Sequence, residues 1–188
     1  MGRMDEALAM WHREVELDPL SPHLHYRLGL LHMGVGQYDL AIEKYTNVLE
    51  LDHRHSMAHF NIGYCNIKKG NVDEGIRSSE TAARLMERRP LALGRLGAAY
   101  AQGGKIGEAR GLLEKLLGLA QKTYVPASAF ALIYCALGEI DKGLAWVEKA
   151  FEDRDPSIPV FFAVYRMHEP LRSHPRYHAL LRKMNLEP

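Results

Sequence analysis

The fold is decided by residues 22–55, which read PHLHYRLGLLHMGVGQYDLAIEKYTNVLELDHRH. The first half places Leu24, Leu28 and Leu31 at three- and four-residue steps, the spacing of one face of an α-helix. The second half repeats this spacing with Tyr38, Ala41, Ile42, Tyr45, Val48 and Leu49. Between the halves lies Gly36, which can adopt the positive φ of a tight reversal. The stretch therefore predicts two helices that fold back on each other as a helical hairpin.

The hairpin pattern recurs with a period of 34 residues. An apolar residue followed by glycine appears at Leu28-Gly29, Ile62-Gly63 and Leu96-Gly97. The glycine of the turn recurs at Gly36, Gly70 and Gly104. A hairpin of this length cannot bury its own apolar faces, so neighbouring hairpins must cover them. The period therefore predicts a stack of similar hairpins, in which the small residues let the helices approach closely.

This period and these small residues resemble the tetratricopeptide repeat family over about residues 2–155. The resemblance implies an all-α fold, a right-handed α-solenoid of helical hairpins with a C-terminal capping helix. We predict a single domain, 1–188, that begins with a half repeat at 1–19 and ends with an incomplete repeat and the capping helix at 157–188. The complete repeats are predicted at 22–55, 56–89, 90–123 and 124–156.

Three residues of the second repeat bear on its helix start and its packing. Ser56 is suited to cap the start of its first helix. Gly75 and Ser79 replace the alanine and tyrosine that the first repeat has at the same phases. We therefore expect thinner packing between the helices of the second repeat.

The N-terminal half repeat lacks the helix that would precede it in a complete unit. Its apolar face, formed by Leu8, Trp11 and Val15, is expected to be uncovered. Exposed apolar patches tend to be interaction sites. We therefore expect either self-association through the half repeat or an upstream segment that covers it.

The C-terminal tail loses the 34-residue period. We expect a short helix within Ile158–Val164 and a final helix that starts near Pro175, with its polar side supplied by Arg176, Arg182 and Lys183. The tail resembles the C-terminal ends of bacterial repeat proteins in which the repeats follow a winged-helix regulator, a nucleotide cyclase or a Ser/Thr kinase. This resemblance implies an alternative function, as the regulatory domain of a larger bacterial signalling or transcription protein.

Composition argues against several classes of partner. The 24 Lys and Arg residues nearly balance the 23 Asp and Glu residues, and the net charge of +1 gives no case for nucleic acid or an anionic membrane. The apolar runs are too short to span a membrane. Cys65 and Cys135 lie two repeats apart, too far to form a disulfide, so we expect reduced thiols and a cytoplasmic location.

No catalytic or metal-binding constellation stands out. Gly103-Gly104-Lys105 follows a predicted helix rather than a strand, so it indicates a repeat turn and not a phosphate loop. His55 and His59 are four residues apart, as are His174 and His178, but no third ligand accompanies either pair. Aspartates recur in the first turn of the second helices, where the helix dipole favours them. We predict no enzymatic activity, no cofactor and no metal.

The family resemblance implies that the first helices of successive hairpins line a concave groove. We predict that this groove binds a partner peptide through Tyr26, Arg27, Leu30, Phe60, Asn61, Tyr64 and Arg95. Asn61 and Arg95 match two positions of the carboxylate clamp of some family members. An extended segment would pair its backbone with Asn61 and its acidic groups with the arginines. The alternative is that the arginines are merely solvated and the aromatic rings fill space between helices.

These features together predict a protein-interaction scaffold that holds an unidentified protein or peptide partner. The resemblance supplies the expected function, and the residues at the groove phases supply the chemistry of binding.

Overall fold

The computed structural model describes residues 2–158, 171 and 173–185, and it describes their side chains except those of residues 2–5, 7 and 8. Every regular element in this part of the chain is a helix, which confirms the predicted all-α class. The helices are α1 (Gly2–Leu17), α2 (Pro22–Gly34), α3 (Tyr38–Leu51), α4 (Ser56–Lys68), α5 (Val72–Leu85), α6 (Pro90–Gln102), α7 (Ile106–Ala120), α8 (Ala127–Ala136), α9 (Ile140–Glu152) and α10 (Pro175–Lys183).

The chain divides into two compact units, Met1–Glu87 and Arg88–Pro188. In the N-terminal unit each helix from α1 to α5 packs against the next one in the chain. In the C-terminal unit α6 packs against both α7 and α8, α8 packs against α9, and α9 contacts α10. The single domain over 1–188 stays a prediction.

The turns of the four hairpins share one geometry. Each contains a glycine with φ between +78° and +88°, at Gly36, Gly70, Gly104 and Gly138. The amide of the following residue donates to a carbonyl five residues earlier, as from Gln37 to His32 at 2.9 Å and from Glu139 to Tyr134 at 3.0 Å. This closure of a helix by a left-handed glycine satisfies the last carbonyls of the first helix. The predicted glycine turns are confirmed.

Glycine also sets the distance between helices within the first hairpin. A Cβ added at Gly29 would lie 2.6 Å from Cε1 of Tyr45, closer than carbon atoms pack. The Tyr45 ring is fully buried and occupies the space above the glycine. The bare backbone of α2 at Gly29 is therefore the surface on which the buried Tyr45 ring of α3 rests.

The second hairpin shows that the prediction of thinner packing was wrong. A Cβ on Gly63 would lie 2.7 Å from the carbonyl oxygen of Gly75, and one on Gly75 would lie 2.6 Å from the carbonyl oxygen of Gly63. The hydroxyl of Ser79 is buried there and donates to the Gly75 carbonyl at 2.9 Å. The small residues are matched to helices whose backbones touch, so no space is left to fill.

The start of α4 also differs from the prediction that Ser56 caps it. His55 is the capping residue, because its Nδ1 accepts a hydrogen bond from the amide of Ala58 at 3.1 Å. Ser56 is the first residue inside the helix. An imidazole nitrogen thus satisfies one of the amides that a helix leaves unpaired at its N-terminus.

The face of α1 that was expected to be uncovered is partly covered. Trp11 and Val15 are half-buried, and the guanidinium of Arg27 on α2 lies 5.3 Å from the centre of the Trp11 ring. The side chain of Leu8 lies outside the described residues. Among the described side chains of α1, the large apolar ones that are exposed are instead Met10 and Leu17.

The C-terminal unit has two apolar clusters, and the half-buried Trp146 packs against both. Phe130 of α8 stacks on Trp146 of α9 with ring centres 4.3 Å apart. Tyr177 and Leu180 of α10 are buried in the same cluster as Leu144. Arg182 and Lys183 on α10 are exposed, as predicted for a final helix with one polar side. Of the short helix predicted within Ile158–Val164, all but Ile158 lies outside the described residues.

A buried carboxylate joins the end of α9 to the start of α8. Asp155 is only 5% exposed and accepts hydrogen bonds from the amides of Ser128 at 3.2 Å and Ser157 at 2.9 Å. The hydroxyls of the two serines are 2.7 Å apart and complete the network. Burial alone would raise the pKa of Asp155, but the hydrogen bonds from Ser128 and Ser157 outweigh it and lower the pKa.

In the described part of the chain, no helix combines the length and the apolar character that crossing a bilayer requires.

We predict opposite effects for the same substitution at two helical glycines. Gly29→Ala should lower the free energy of unfolding by about 1–3 kcal/mol, because the new methyl group overlaps the buried Tyr45 ring. Gly111→Ala in α7 should raise it by up to about 1 kcal/mol, because no atom lies within 4 Å of the added Cβ and alanine favours the helix. Urea unfolding measures both, and a stabilised Gly29→Ala protein would contradict the close approach of α2 and α3.

We predict that Asp155 stabilises the fold in a pH-dependent way. At pH 7, Asp155→Asn should cost about 1–3 kcal/mol, because the amide cannot accept all the hydrogen bonds that the carboxylate accepts. The folded-state pKa is depressed, so the contribution is complete above the unfolded pKa of about 3.9 and disappears as the pH falls through the folded value. The difference in urea midpoint between the two proteins should therefore shrink below about pH 4.

Asp153→Asn is the matched control, because Asp153 is exposed and its ion pair with Lys149 is 3.3 Å long. It should change stability by less than about 0.5 kcal/mol at either pH. Equal losses at positions 153 and 155 would show that the buried network does not stabilise the unit.

Candidate protein-interaction face

Charge is divided unequally between the two helices of each hairpin. The first helices, α2, α4, α6 and α8, contain no Asp or Glu, and their only Lys and Arg residues are Arg27, Lys68 and Arg95. Each second helix carries two or three acidic residues. The near-neutral composition therefore hides a set of helices whose formal charges are all positive. This asymmetry determines the kind of ligand that the first helices would attract.

Two predicted site residues form a hydrogen bond between the first helices of the N-terminal unit. The side-chain amide of Asn61 on α4 donates to the hydroxyl of Tyr26 on α2 at 3.3 Å. The Tyr26 ring lies 5.7 Å from the ring of Tyr45 and 5.1 Å from that of His55. Tyr26 is thus enclosed by α3 and α4 on two sides. Its hydroxyl and Asn61 form a direct hydrogen bond between α2 and α4.

Asn61 and Phe60 are buried rather than presented to solvent. Each side chain is only 5% exposed. The other predicted residues of this unit reach the surface. Tyr26, Leu30 and Tyr64 are half-buried, and Arg27 is exposed. Asn61 therefore contacts Tyr26 rather than solvent. The groove as a whole stays a prediction.

Arg27 is the exposed cation of α2. Its Nε donates to Nε2 of His23 at 3.1 Å, one turn earlier on the same helix. Its guanidinium also lies over the Trp11 ring of α1, in a cation–π contact. These contacts restrict the side chain while the guanidinium remains at the surface. Restricting a long side chain in advance lowers the entropy lost when it binds an anion.

Tyr64 and Lys68 form the corresponding feature on α4. The ammonium of Lys68 lies 5.5 Å from the centre of the Tyr64 ring, and the ring of Tyr38 contacts the same tyrosine at 6.4 Å. Burial, with a smaller effect from Tyr38, raises the pKa of Tyr64 and keeps the phenol neutral at physiological pH. Sequence reasoning did not include Lys68. Its spacing of four residues from Tyr64, on the same helix face, was the available signal.

Arg95 belongs to the C-terminal unit, where it is half-buried on α6. Its neighbour Gly94 has the phase of Tyr26 and Phe60, but no aromatic ring could stand there. A Cβ on Gly94 would lie 2.7 Å from the Cα of Ala129 on α8. The aromatic side chains of this phase are therefore confined to the N-terminal unit.

Three of the four histidines in the two predicted pairs have hydrogen-bonding partners. His55 caps α4, His174 accepts from the amide of Arg176 at 3.3 Å, and His59 lies 3.3 Å from the carbonyl of His53. Within the described residues, no three His, Cys, Asp or Glu side chains lie close enough together to hold a metal ion. The geometry thus gives no support to a metal centre.

Comparison with known proteins finds a family match for part of the repeat region. Residues 26–84 match the family model described as tetratricopeptide repeat. No curated protein sequence matches the chain.

Solved structures give the fold of the rest of the chain. A thermophilic tetratricopeptide repeat protein of Thermus thermophilus, TTC0263, is 24% identical, with a TM-score of 0.60 over 86% of this chain and 90% of that one. MamA is 22% identical, with a TM-score of 0.55 over 83% of this chain and 91% of that chain. A chain of the APC/C hetero-tetramer Cut9–Hcn1 is 17% identical, with a TM-score of 0.58 over 97% of this chain and 39% of that one.

At these identities the likenesses establish the fold alone, an all-α helical repeat solenoid, and they extend it well beyond the segment that the family model matches. Residues 26–84 are therefore similar in sequence to tetratricopeptide repeats, and the chain has the fold of a helical repeat solenoid.

Proposed function

We propose that this chain is a non-catalytic scaffold that binds an extended, acidic segment of a partner protein. The binding surface is the first-helix face of the N-terminal unit, which we define by its surface residues Tyr26, Arg27, Leu30, Tyr64 and Lys68. The observation that carries the proposal is the complete absence of Asp and Glu from the first helices.

Electrostatics selects the charge of the partner. On α2 and α4 the only formal charges are positive, at Arg27 and Lys68. A basic segment would meet only repulsion from these helices, and a neutral one would gain nothing from their charges. Carboxylates would form charge-assisted hydrogen bonds with the guanidinium and the ammonium. Complementary charge also raises the association rate and discourages partners of the wrong sign.

The apolar groups of the face would supply contact area between the cations. Leu30 and the rings of Tyr26 and Tyr64 are half-buried, so part of each is available to a ligand. Aromatic side chains contribute large areas at low entropic cost, because few of their torsions are free. The partner segment that fits is therefore acidic with interspersed apolar residues.

An assembly role is consistent with one of the structural relatives. The Cut9–Hcn1 structure is that of a hetero-tetramer, which for that protein means assembly with a partner. For this chain the partner is part of the proposal. We also propose a cytoplasmic location, because Cys65 and Cys135 are buried free thiols.

We predict that Arg27→Glu abolishes the preference for acidic ligands. The probe is a phage-displayed library of random peptides panned against the chain, followed by fluorescence anisotropy with the selected peptides. The selected sequences should be enriched in Asp and Glu and should bind more weakly as salt is raised. Arg27→Glu should weaken binding by roughly tenfold or more, because one charge-assisted contact is worth about 1.5–3 kcal/mol when it is shielded from water.

Arg84→Glu is the matched control. Arg84 is another exposed arginine of the same unit, but it lies on the second helix α5 and donates to Thr81 of its own helix at 3.0 Å. Its reversal should leave the affinity within about twofold. Selection of peptides without an acidic bias, or equal losses for the two variants, would refute the proposed face.

A further inference from the structure

An exposed stripe runs along α1, on the side that does not contact α2. It consists of Glu6, Met10, Arg13 and Leu17, which recur at steps of four, three and four residues and so share one helix face. Met10 is 55% exposed and Leu17 is 76% exposed, while Trp11 and Val15 lie half-buried on another face. Two large apolar side chains thus alternate with two opposite charges on a surface that no described residue covers.

The order of the charges in this α1 stripe is self-complementary. Glu6 and Arg13 are equally distant from the midpoint between Ala9 and Met10. If a second α1 lies antiparallel across that midpoint, Glu6 of each copy faces Arg13 of the other, and two ion pairs form. A parallel arrangement would instead place each charge beside its like. Ala9, exposed next to Met10, is small enough to let two helices approach.

We propose that the α1 stripe is a self-association surface, on which a second copy of this chain packs its own α1 in antiparallel orientation across a two-fold axis. Met10 of each copy lies near the axis and packs against Ala9 and Met10 of the other. The two Glu6–Arg13 pairs flank this apolar centre. The same patch serves both copies, so the contact is isologous and closes at the dimer.

The size of the surface sets the strength of the association. A helix of 16 residues is about 24 Å long, and a pair of such helices buries less than the roughly 800 Å² per partner of a standard interface. The dimer is therefore weak and forms reversibly as concentration rises. It does not use Arg27 or Lys68, so dimerisation can be tested without a peptide ligand.

The test is sedimentation velocity of the full chain from about 10 µM to about 1 mM, the range in which small interfaces associate. The unmodified chain should move from monomer towards dimer. Glu6→Arg alone and Arg13→Glu alone should each weaken the dimer by roughly tenfold, because each replaces two attractive pairs with two repulsive ones. Circular dichroism checks that both surface variants remain folded.

Two combinations of these changes make the test specific. The double variant E6R/R13E should dimerise like the unmodified chain, because both pairs are restored with their signs exchanged. An equimolar mixture of the two single variants should form a mixed dimer. In that dimer both charged positions of one copy are basic and both of the other copy are acidic, so two attractive pairs form again. Glu50→Arg, the same charge reversal on an exposed residue of α3, should have no effect on association.

Three results would overturn the proposal. The first is a monomer at all concentrations, as expected if another protein or a preceding segment covers the stripe. The second is a dimer that the single reversals do not weaken. The third is a dimer that neither the double variant nor the mixture restores, since the pairing would then not be antiparallel.

Discussion

The structure depends on how closely two helices approach at one phase of the repeat. At Gly29 the approach admits the ring of Tyr45, at Gly63 it brings the backbone of α5 into contact, and at Gly97 it admits the side chain of Ile133 from the next hairpin. The same small residue thus serves contacts within a hairpin and between hairpins. Because interiors are packed to crystal-like density, a methyl group added there must displace a neighbour. The lack of a side chain at these glycines therefore sets the distance between the helices.

Periodicity made the hairpins and their turns predictable from sequence, because both follow from local spacing. The distance between helices could not be predicted in this way. Small side chains such as Gly75 and Ser79 are compatible either with a gap or with a closer approach of the helices. Only the positions of the backbones distinguish the two, which is why these residues were misinterpreted. The cap of α4 was assigned to Ser56 instead of His55 because capping depends on where the helical dihedrals begin. Which side chains of a helix reach solvent depends on its neighbours. The sequence therefore could not decide whether Phe60 lines the groove or fills space between helices, and it did not indicate that Asn61 is buried.

Charge segregation follows from the same packing. First helices are covered on more sides, so few of their positions can carry a charge at all. Second helices offer exposed first turns, where Asp39, Asp73 and Asp141 interact favourably with the helix dipole. Acidic residues therefore accumulate on second helices for reasons of local stability, and the first helices keep only cations. Net charge averages over both kinds of helix, so the value of +1 carries no information about the ligand that either kind would attract.

The contact between Trp11 and Arg27 links the two proposed surfaces. Arg27 belongs to the first-helix face, while Trp11 lies on α1, whose opposite side carries the self-association stripe. A dimer through that stripe would order α1 and with it the ring on which the guanidinium rests. Ordering a binding group in advance reduces the entropy cost of binding. A dimer would also present two faces to a partner with repeated acidic segments, and the second segment would then bind at a high effective concentration. Weak association at α1 would thereby strengthen binding at a surface that it does not itself touch.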